Sequence, residues 1–295
     1  MKKLLIFCFG ILLSAGLQAQ DLYIQAGKLV DTKSGKVLTE KTIIVSNERI
    51  KSVENGLVNP ESEKDSVIDL RDKTVLPGLT DMHVHLESET NPQKYMERFV
   101  NDPADAAFNS VGFAKTTLMA GGSGVNIALR DAIDQGKIPG PRIFTAGKSL
   151  ATTGGHADPT NGMNSELTGN PRPKEGVVNG PEDAAKAVRQ RYKNGADLIK
   201  ITATGGVLSV AKSSSNPQFT EEEIRAIVKT ANDYDFHVAA HAHGDEGMQR
   251  AIRAGVKTIE HGTKMSEETM DLMKEYDAYL VPTITAGKEV TQNAE

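Results

Sequence analysis

From Thr74 onward the chain alternates short apolar runs with amphipathic stretches, and this rhythm limits the fold more than any other feature. Strands are expected over residues 75–85, 141–146, 197–202, 237–241, 257–261 and 278–282. Helices are expected over 103–120, 126–135, 181–193, 221–234, 245–254 and from Ser266 to about Tyr276. The helix signals are chemical. Gly180-Pro181 opens one helix with Glu182 and Asp183 in its first turn. Thr220 with Glu223 three residues on reads as a capping box. Strands joined in turn by helices make a parallel sheet, and this many units favour a barrel over an open sheet.

The expected class is therefore α/β: an incomplete (β/α)8 TIM-like barrel with a small N-terminal β-sandwich domain. Residues 1–19 read as a signal peptide, 20–72 as the partial β domain and 73–295 as the barrel. Two barrel strands are not legible. Between the helices expected at 103–120 and 126–135 stand only Gly121, Gly122, Ser123, Gly124 and Val125, so strand two is expected to be missing. After Pro282 too little chain follows for another helix and a closing strand, so strand eight is expected to be missing as well. Such gaps would leave strand edges unpaired.

The 295 residues suffice for one large domain or two smaller ones, and 38% hydrophobic with 25% charged residues is a globular balance. A net charge of −5 with no basic cluster argues against a nucleic-acid partner. Lys2 and Lys3, the apolar run 4–13 and the small residues up to Ala19 form a secretory leader by pattern, which predicts a secreted or periplasmic protein. The other reading of that segment is an uncleaved anchor. Cys8, the one cysteine, would leave with the leader, which excludes disulfides and zinc–thiolate sites in the mature chain. With the leader gone, no membrane partner is expected; a homo-oligomer is left open.

The chemistry gathers at strand ends. His83 and His85 are two residues apart on one strand, so both imidazoles project the same way, as neighbouring metal ligands must. Lys200 lies inside an apolar strand, where burial disfavours the ammonium. Its neutral amine can take up carbon dioxide, giving a carbamate able to bridge two cations; the alternative is a stem that snorkels to the strand end. His241 and His261 end the next two strands and are candidate metal ligands. His243, just beyond His241, is a candidate substrate contact, and His237, at a strand start, suits a structural role. His156, in a glycine-rich loop, is either a substrate contact or a solvated loop residue, and Gly205-Gly206 either a close-approach site or an ordinary turn.

The segments Leu76-Pro-Gly-Leu-Thr-Asp-Met-His-Val-His85, Gly195-Ala-Asp-Leu-Ile-Lys200, His241-Ala-His-Gly244 and Ile259-Glu-His-Gly262 together resemble the amidohydrolase superfamily, in its imidazolonepropionase-like and Xaa-Pro dipeptidase-like branch. The resemblance runs from about Leu22 to Pro282. It implies two divalent metal ions of the zinc type: one held by His83 and His85, the other by His241 and His261, with carbamylated Lys200 bridging them. It also implies a β domain completed by C-terminal strands, and a metal-binding, proton-shuttling Asp that would fall beyond residue 295. The activity this implies is hydrolysis of amide or peptide C–N bonds in small peptides or cyclic amides. Two rival readings stand beside it: an inactive truncated fragment, and a secreted metal-binding protein without turnover.

Overall fold

The computed structural model describes residues 20–87, 93–113, 117–121, 124–207, 209 and 213–292. The leader expected at 1–19 lies outside the described residues. The chain divides into two compact units, residues 1–78 and 79–295.

In the first unit, β1 (Leu22–Asp31), β2 (Lys36–Ser46), β3 (Arg49–Asn55) and β4 (Ser66–Val75) form one sheet in the order β3-β2-β1-β4. β1 pairs antiparallel with β2 and parallel with β4. The turn into β2 follows from composition: the Asp31 carboxylate accepts from the Lys33 amide and the Ser34 hydroxyl, and Gly35 takes a φ of +69°. Gly27 marks a register shift in β1, where a Cβ would stand 1.9 Å from the Arg71 carbonyl oxygen. A β-sandwich was expected; the described residues form a single four-stranded sheet.

The second unit winds strand and helix alternately. β5 (Thr80–Val84), β6 (Thr117–Gly121) and β7 (Ile143–Gly147) make one parallel sheet in chain order. β8 (Ile199–Thr202), β9 (Val238–Ala242), β10 (Thr258–His261) and β11 (Tyr279–Val281) make a second. The two meet where the Asp197 amide donates to the Thr145 carbonyl and Leu150 bridges to Ile201. Among the described residues seven parallel strands therefore follow one another, consistent with a TIM-like barrel. Among the described residues β5 pairs only with β6 and β11 only with β10, so closure is not formed there.

Helices α1 (Lys94–Val100), α2 (Pro103–Phe113), α3 (Val125–Asp134), α4 (Ser165–Thr168), α5 (Pro181–Lys193), α6 (Glu221–Asn232), α7 (Asp245–Arg253), α8 (Glu267–Glu275) and α9 (Ile284–Gln292) complete the unit. The main core lies between α5–α7 and β8–β10, where Val188, Ile199, Ile201, Ile227, Met248, Ile252 and Ile259 are buried. The capping box of α6 is present as expected: the Thr220 hydroxyl accepts from the Glu223 amide and the Glu223 side chain accepts from the Thr220 amide.

Two sequence expectations are corrected. Strand two is present: the helix expected to reach Ala120 ends at Phe113, and β6 occupies Thr117–Gly121 between β5 and β7. The Ala-rich approach masked the change of period. The single strand expected over 75–85 is two strands in different units, separated by residues 76–79, where Pro77 has no amide to donate. After Pro282 the described residues form the helix α9 and no eighth strand, which leaves the expectation for that stretch standing.

Candidate metal centre

All parallel strands present their carboxyl ends on one side, and the singled-out residues meet there. His83 comes from β5, Lys200 from β8, His241 from β9 and His261 from β10; His85 and His243 lie just past their strands. The His83 and His85 Nε2 atoms stand 3.3 Å apart. His83 and His261 ring centroids are 4.9 Å apart, and those of His241 and His261 4.7 Å. Lys200 Nζ lies 3.4 Å from His83 Nδ1. Sequence reasoning expected these five to converge, and they do.

His261 reaches the cluster against strand parity. In the β9–β10 register Glu260 is opposite His241, so Glu260 is the residue that alternation turns inward. His261, one residue on, adopts a φ of +74°, and that left-handed turn brings its ring back among the others. Its Nδ1 pairs with the Thr283 hydroxyl at 2.7 Å.

Glu260 was not singled out from the sequence, although a carboxylate inside an apolar strand and in register with His241 is a readable signal. It is 1% exposed. One oxygen accepts from His83 Nδ1 at 2.7 Å and lies 3.8 Å from Lys200 Nζ; the other accepts from the Thr258 hydroxyl at 2.7 Å. Burial opposes its charge, yet the His83 hydrogen bond, the Lys200 charge and the Thr258 hydroxyl together hold its pKa below the ordinary value.

Burial pushes the Lys200 amine down to about 8, against the pull of Glu260, so a neutral fraction exists near neutrality. Burial, reinforced by His83, Lys200 and His243, pushes His261 down to about 3. His241 is also driven down, first by burial and then by His156, His261 and His243. Burial lowers His156 and His243 too. The depressed imidazoles are neutral at neutral pH and carry lone pairs, as metal binding requires.

The two substrate candidates also lie here. His243 stacks on His261 with centroids 5.0 Å apart and pairs through Nδ1 with the Thr263 hydroxyl. His241, His243 and His261 each offer a ring nitrogen within 4.8 Å of the others, so His243 stands nearer the ligand cluster than a peripheral contact would. His156 stacks on His241 at 4.3 Å, its amide donating to the Gln218 side chain at 2.7 Å. It is not a solvated loop residue: its Nδ1 is buried and has no hydrogen-bond partner among the described residues. Gly206 is a close-approach site, since a Cβ there would stand 2.2 Å from the His156 ring. His237 lies just before β9, at the opposite end from His241.

The donor set suits a cation. Two ligands at about 2.0–2.1 Å around a tetrahedral ion are about 3.3 Å apart, the separation of the His83 and His85 Nε2 atoms. Those two nitrogens, with Lys200, His241 and His261, could hold metal. A cavity of about 40 Å³ beside Lys200 is lined by His83, His85, Ser149 and Glu260 among others.

A wound parallel α/β unit with its polar residues gathered at the strand carboxyl ends is consistent with the class of TIM-like α/β folds. Within it, the chain belongs to the amidohydrolase family, whose profile matches residues 74–294. A crystallised Xaa-Pro dipeptidase with methionine in its active site is 50% identical, with a TM-score of 0.87 over 93% of this chain and 69% of that one. A prolidase crystallised with N-methylphosphonate-L-proline is 33% identical, with a TM-score of 0.78 over 90% of this chain and 66% of that one. The ochratoxinase of Aspergillus niger is 30% identical over 287 residues, 90% of this chain. The chain spans 59% of the length of that relative.

Proposed function

We propose that this chain carries the metal centre of an amidohydrolase that hydrolyses C–N bonds of dipeptides or small cyclic amides. The observation that carries the reading is the convergence of His83, His85, His241 and His261 on the buried amine of Lys200. His83 with His85 and His241 with His261 would hold two divalent ions of the zinc type, and Lys200, carbamylated, would bridge them. When bound, such a pair supplies polarisation of the scissile carbonyl and a water acidified to near neutrality. The chain's own residues do the rest. The depressed imidazoles stay unprotonated at neutral pH, with lone pairs that would hold the cations. Burial keeps a neutral fraction of Lys200 available to carbon dioxide. His156 and His243 flank His241 and would face the substrate. The similarity to an Xaa-Pro dipeptidase and a prolidase supports a dipeptide substrate.

The test is metal content and hydrolysis of a dipeptide panel, for the parent chain and for His83→Ala. The reading expects bound metal and turnover in the parent and loss of both in the variant. Unchanged metal in His83→Ala rejects the ligand assignment; metal without turnover rejects the enzyme reading for this chain and leaves its two rivals, an inactive truncated fragment and a metal-binding protein. Secretion or a periplasmic location is proposed from the leader pattern of residues 1–19, to be checked by cell fractionation and N-terminal sequencing.

A further inference from the structure

We infer that Glu260 is a positioning residue for the candidate centre: its carboxylate selects the tautomer of His83 and so decides which ring nitrogen is offered to a cation. The inference rests on His83 being a ligand, as proposed above. An ionised carboxylate can only accept, so the 2.7 Å contact between Glu260 Oε2 and His83 Nδ1 puts the proton on Nδ1. The lone pair is then on Nε2, the nitrogen that stands 3.3 Å from His85 Nε2. In the other tautomer the lone pair would point at the carboxylate, two acceptors would face each other, and the outward nitrogen would be blocked by a proton.

Glu260 is itself held in place. The Thr258 hydroxyl donates to Oε1 at 2.7 Å, leaving Oε2 for His83. With Nδ1 protonated, the 3.4 Å approach of Lys200 Nζ to that nitrogen is no hydrogen bond to a lone pair, and the amine's charged partner is Glu260 Oε2 at 3.8 Å. One carboxylate on β10 thus orients a ring on β5 and faces the amine on β8. A carboxylate behind a metal-binding imidazole is generally worth 10–100-fold in metal affinity.

The experiment compares the parent chain with E260Q, T258V and H83A by three readouts. These are zinc affinity by competition with a chromophoric chelator, the His83 tautomer by ¹⁵N–¹H correlation in the metal-free chain, and thermal unfolding. E260Q keeps the shape, loses the charge and can offer a donor in place of an acceptor. It is expected to bind zinc about 10–100-fold more weakly and to shift His83 away from the Nδ1–H form. T258V is expected to move both readouts in the same direction by less. An E260Q chain with parent zinc affinity and an unchanged His83 tautomer overturns the inference, even if it melts earlier, because a packing role alone would do that. Should E260Q not fold, T258V decides, and parent values of affinity and tautomer in it overturn the inference. H83A that loses zinc while E260Q keeps it sinks this inference alone; H83A that keeps zinc sinks the ligand reading with it. If the parent binds no zinc, the centre as proposed is wrong, and the inference, which rests on it, falls too.

Discussion

At the scale of single residues, the site depends on neutral imidazoles held where water cannot stabilise their charge. This has a definite sign with pH. His261 has a folded pKa near 3 against an ordinary value of 6.5, set first by burial. Between these values the unfolded chain holds a proton that the folded chain does not, so acid favours unfolding. The stabilisation is present above about pH 6.5 and is lost as pH falls toward 3. Each fully depressed imidazole should cost about 2 kcal/mol on going from pH 6.5 to pH 5. Urea midpoints of the metal-free chain at pH 7, 6 and 5 should fall in that order, and His261→Asn, whose side chain tolerates the left-handed backbone, should show a shallower fall. A flat profile would mean that these rings are hydrated in solution. The φ of +74° that turns His261 inward has no sequence signature of its own. A reader of Ile259-Glu-His-Gly262 sees one polar residue too many for one inward face. Alternation leaves Glu260 and His261 competing for it, and only the backbone shows that both win.

At the scale of elements, what was legible is what local chemistry decides. Helix α5 runs from Pro181 to Lys193 as its proline and acidic first turn predict, and α6 begins at its capping box. What was not legible depended on contacts remote in sequence. β6 forms because β5 and β7 flank it, although Thr117–Gly121 alone continues a helix-like composition. The joints between elements follow the same rule. Asp245 opens α7 and ties it to the start of α8: its carboxylate accepts from the Ser266 amide at 2.8 Å, from the Thr269 hydroxyl at 2.7 Å and from Gln249 at 3.0 Å. Asp245→Ala should cost about 3 kcal/mol by leaving several donors unpaired. Burial works against the Asp245 charge, but these hydrogen bonds win and hold its pKa below the ordinary value. Its contribution is therefore present above about pH 3.9 and lost as pH falls through the lower folded value. Denaturation of parent and variant at pH 7 and pH 3 measures this; equal gaps at both values would refute it. Arg191 does a similar task for the excursion that carries His156. It is 1% exposed, burial pushes its guanidinium down to about 10, and it donates to the Lys148 carbonyl at 2.7 Å and the Lys174 carbonyl at 3.3 Å. Arg191→Met should leave both carbonyls unpaired, cost about 2 kcal/mol and speed amide exchange between residues 148 and 177. Unchanged exchange there would show that the excursion is held by other contacts.

At the scale of the whole molecule, the candidate centre belongs to the second unit. Every residue of the candidate centre lies after Gly78: His83 and His85 follow the boundary closely, and Glu260 reaches back to His83 across the second unit. The first unit ends in β4, whose strand stops at Val75, and residues 76–79 are exposed and outside any strand or helix. Such a segment, with Leu76 at 53% and Leu79 at 67% exposure, is where a protease gains an extended backbone without unfolding either neighbour. A protease that cuts beside leucine should therefore cleave first within 76–79, leaving a fragment that starts close to Thr80 and keeps β5 to β11. Mass spectrometry at short digestion times reads the cut. Zinc binding by the purified fragment then reads whether the centre is self-sufficient, because its histidines and Lys200 depend on strands of the second unit alone. Affinity within a few-fold of the uncut chain is the expected result. A first cut elsewhere would show that residues 76–79 are not the most accessible backbone, and a fragment that folds yet releases its zinc would show that residues before Gly78 help to hold the ligands.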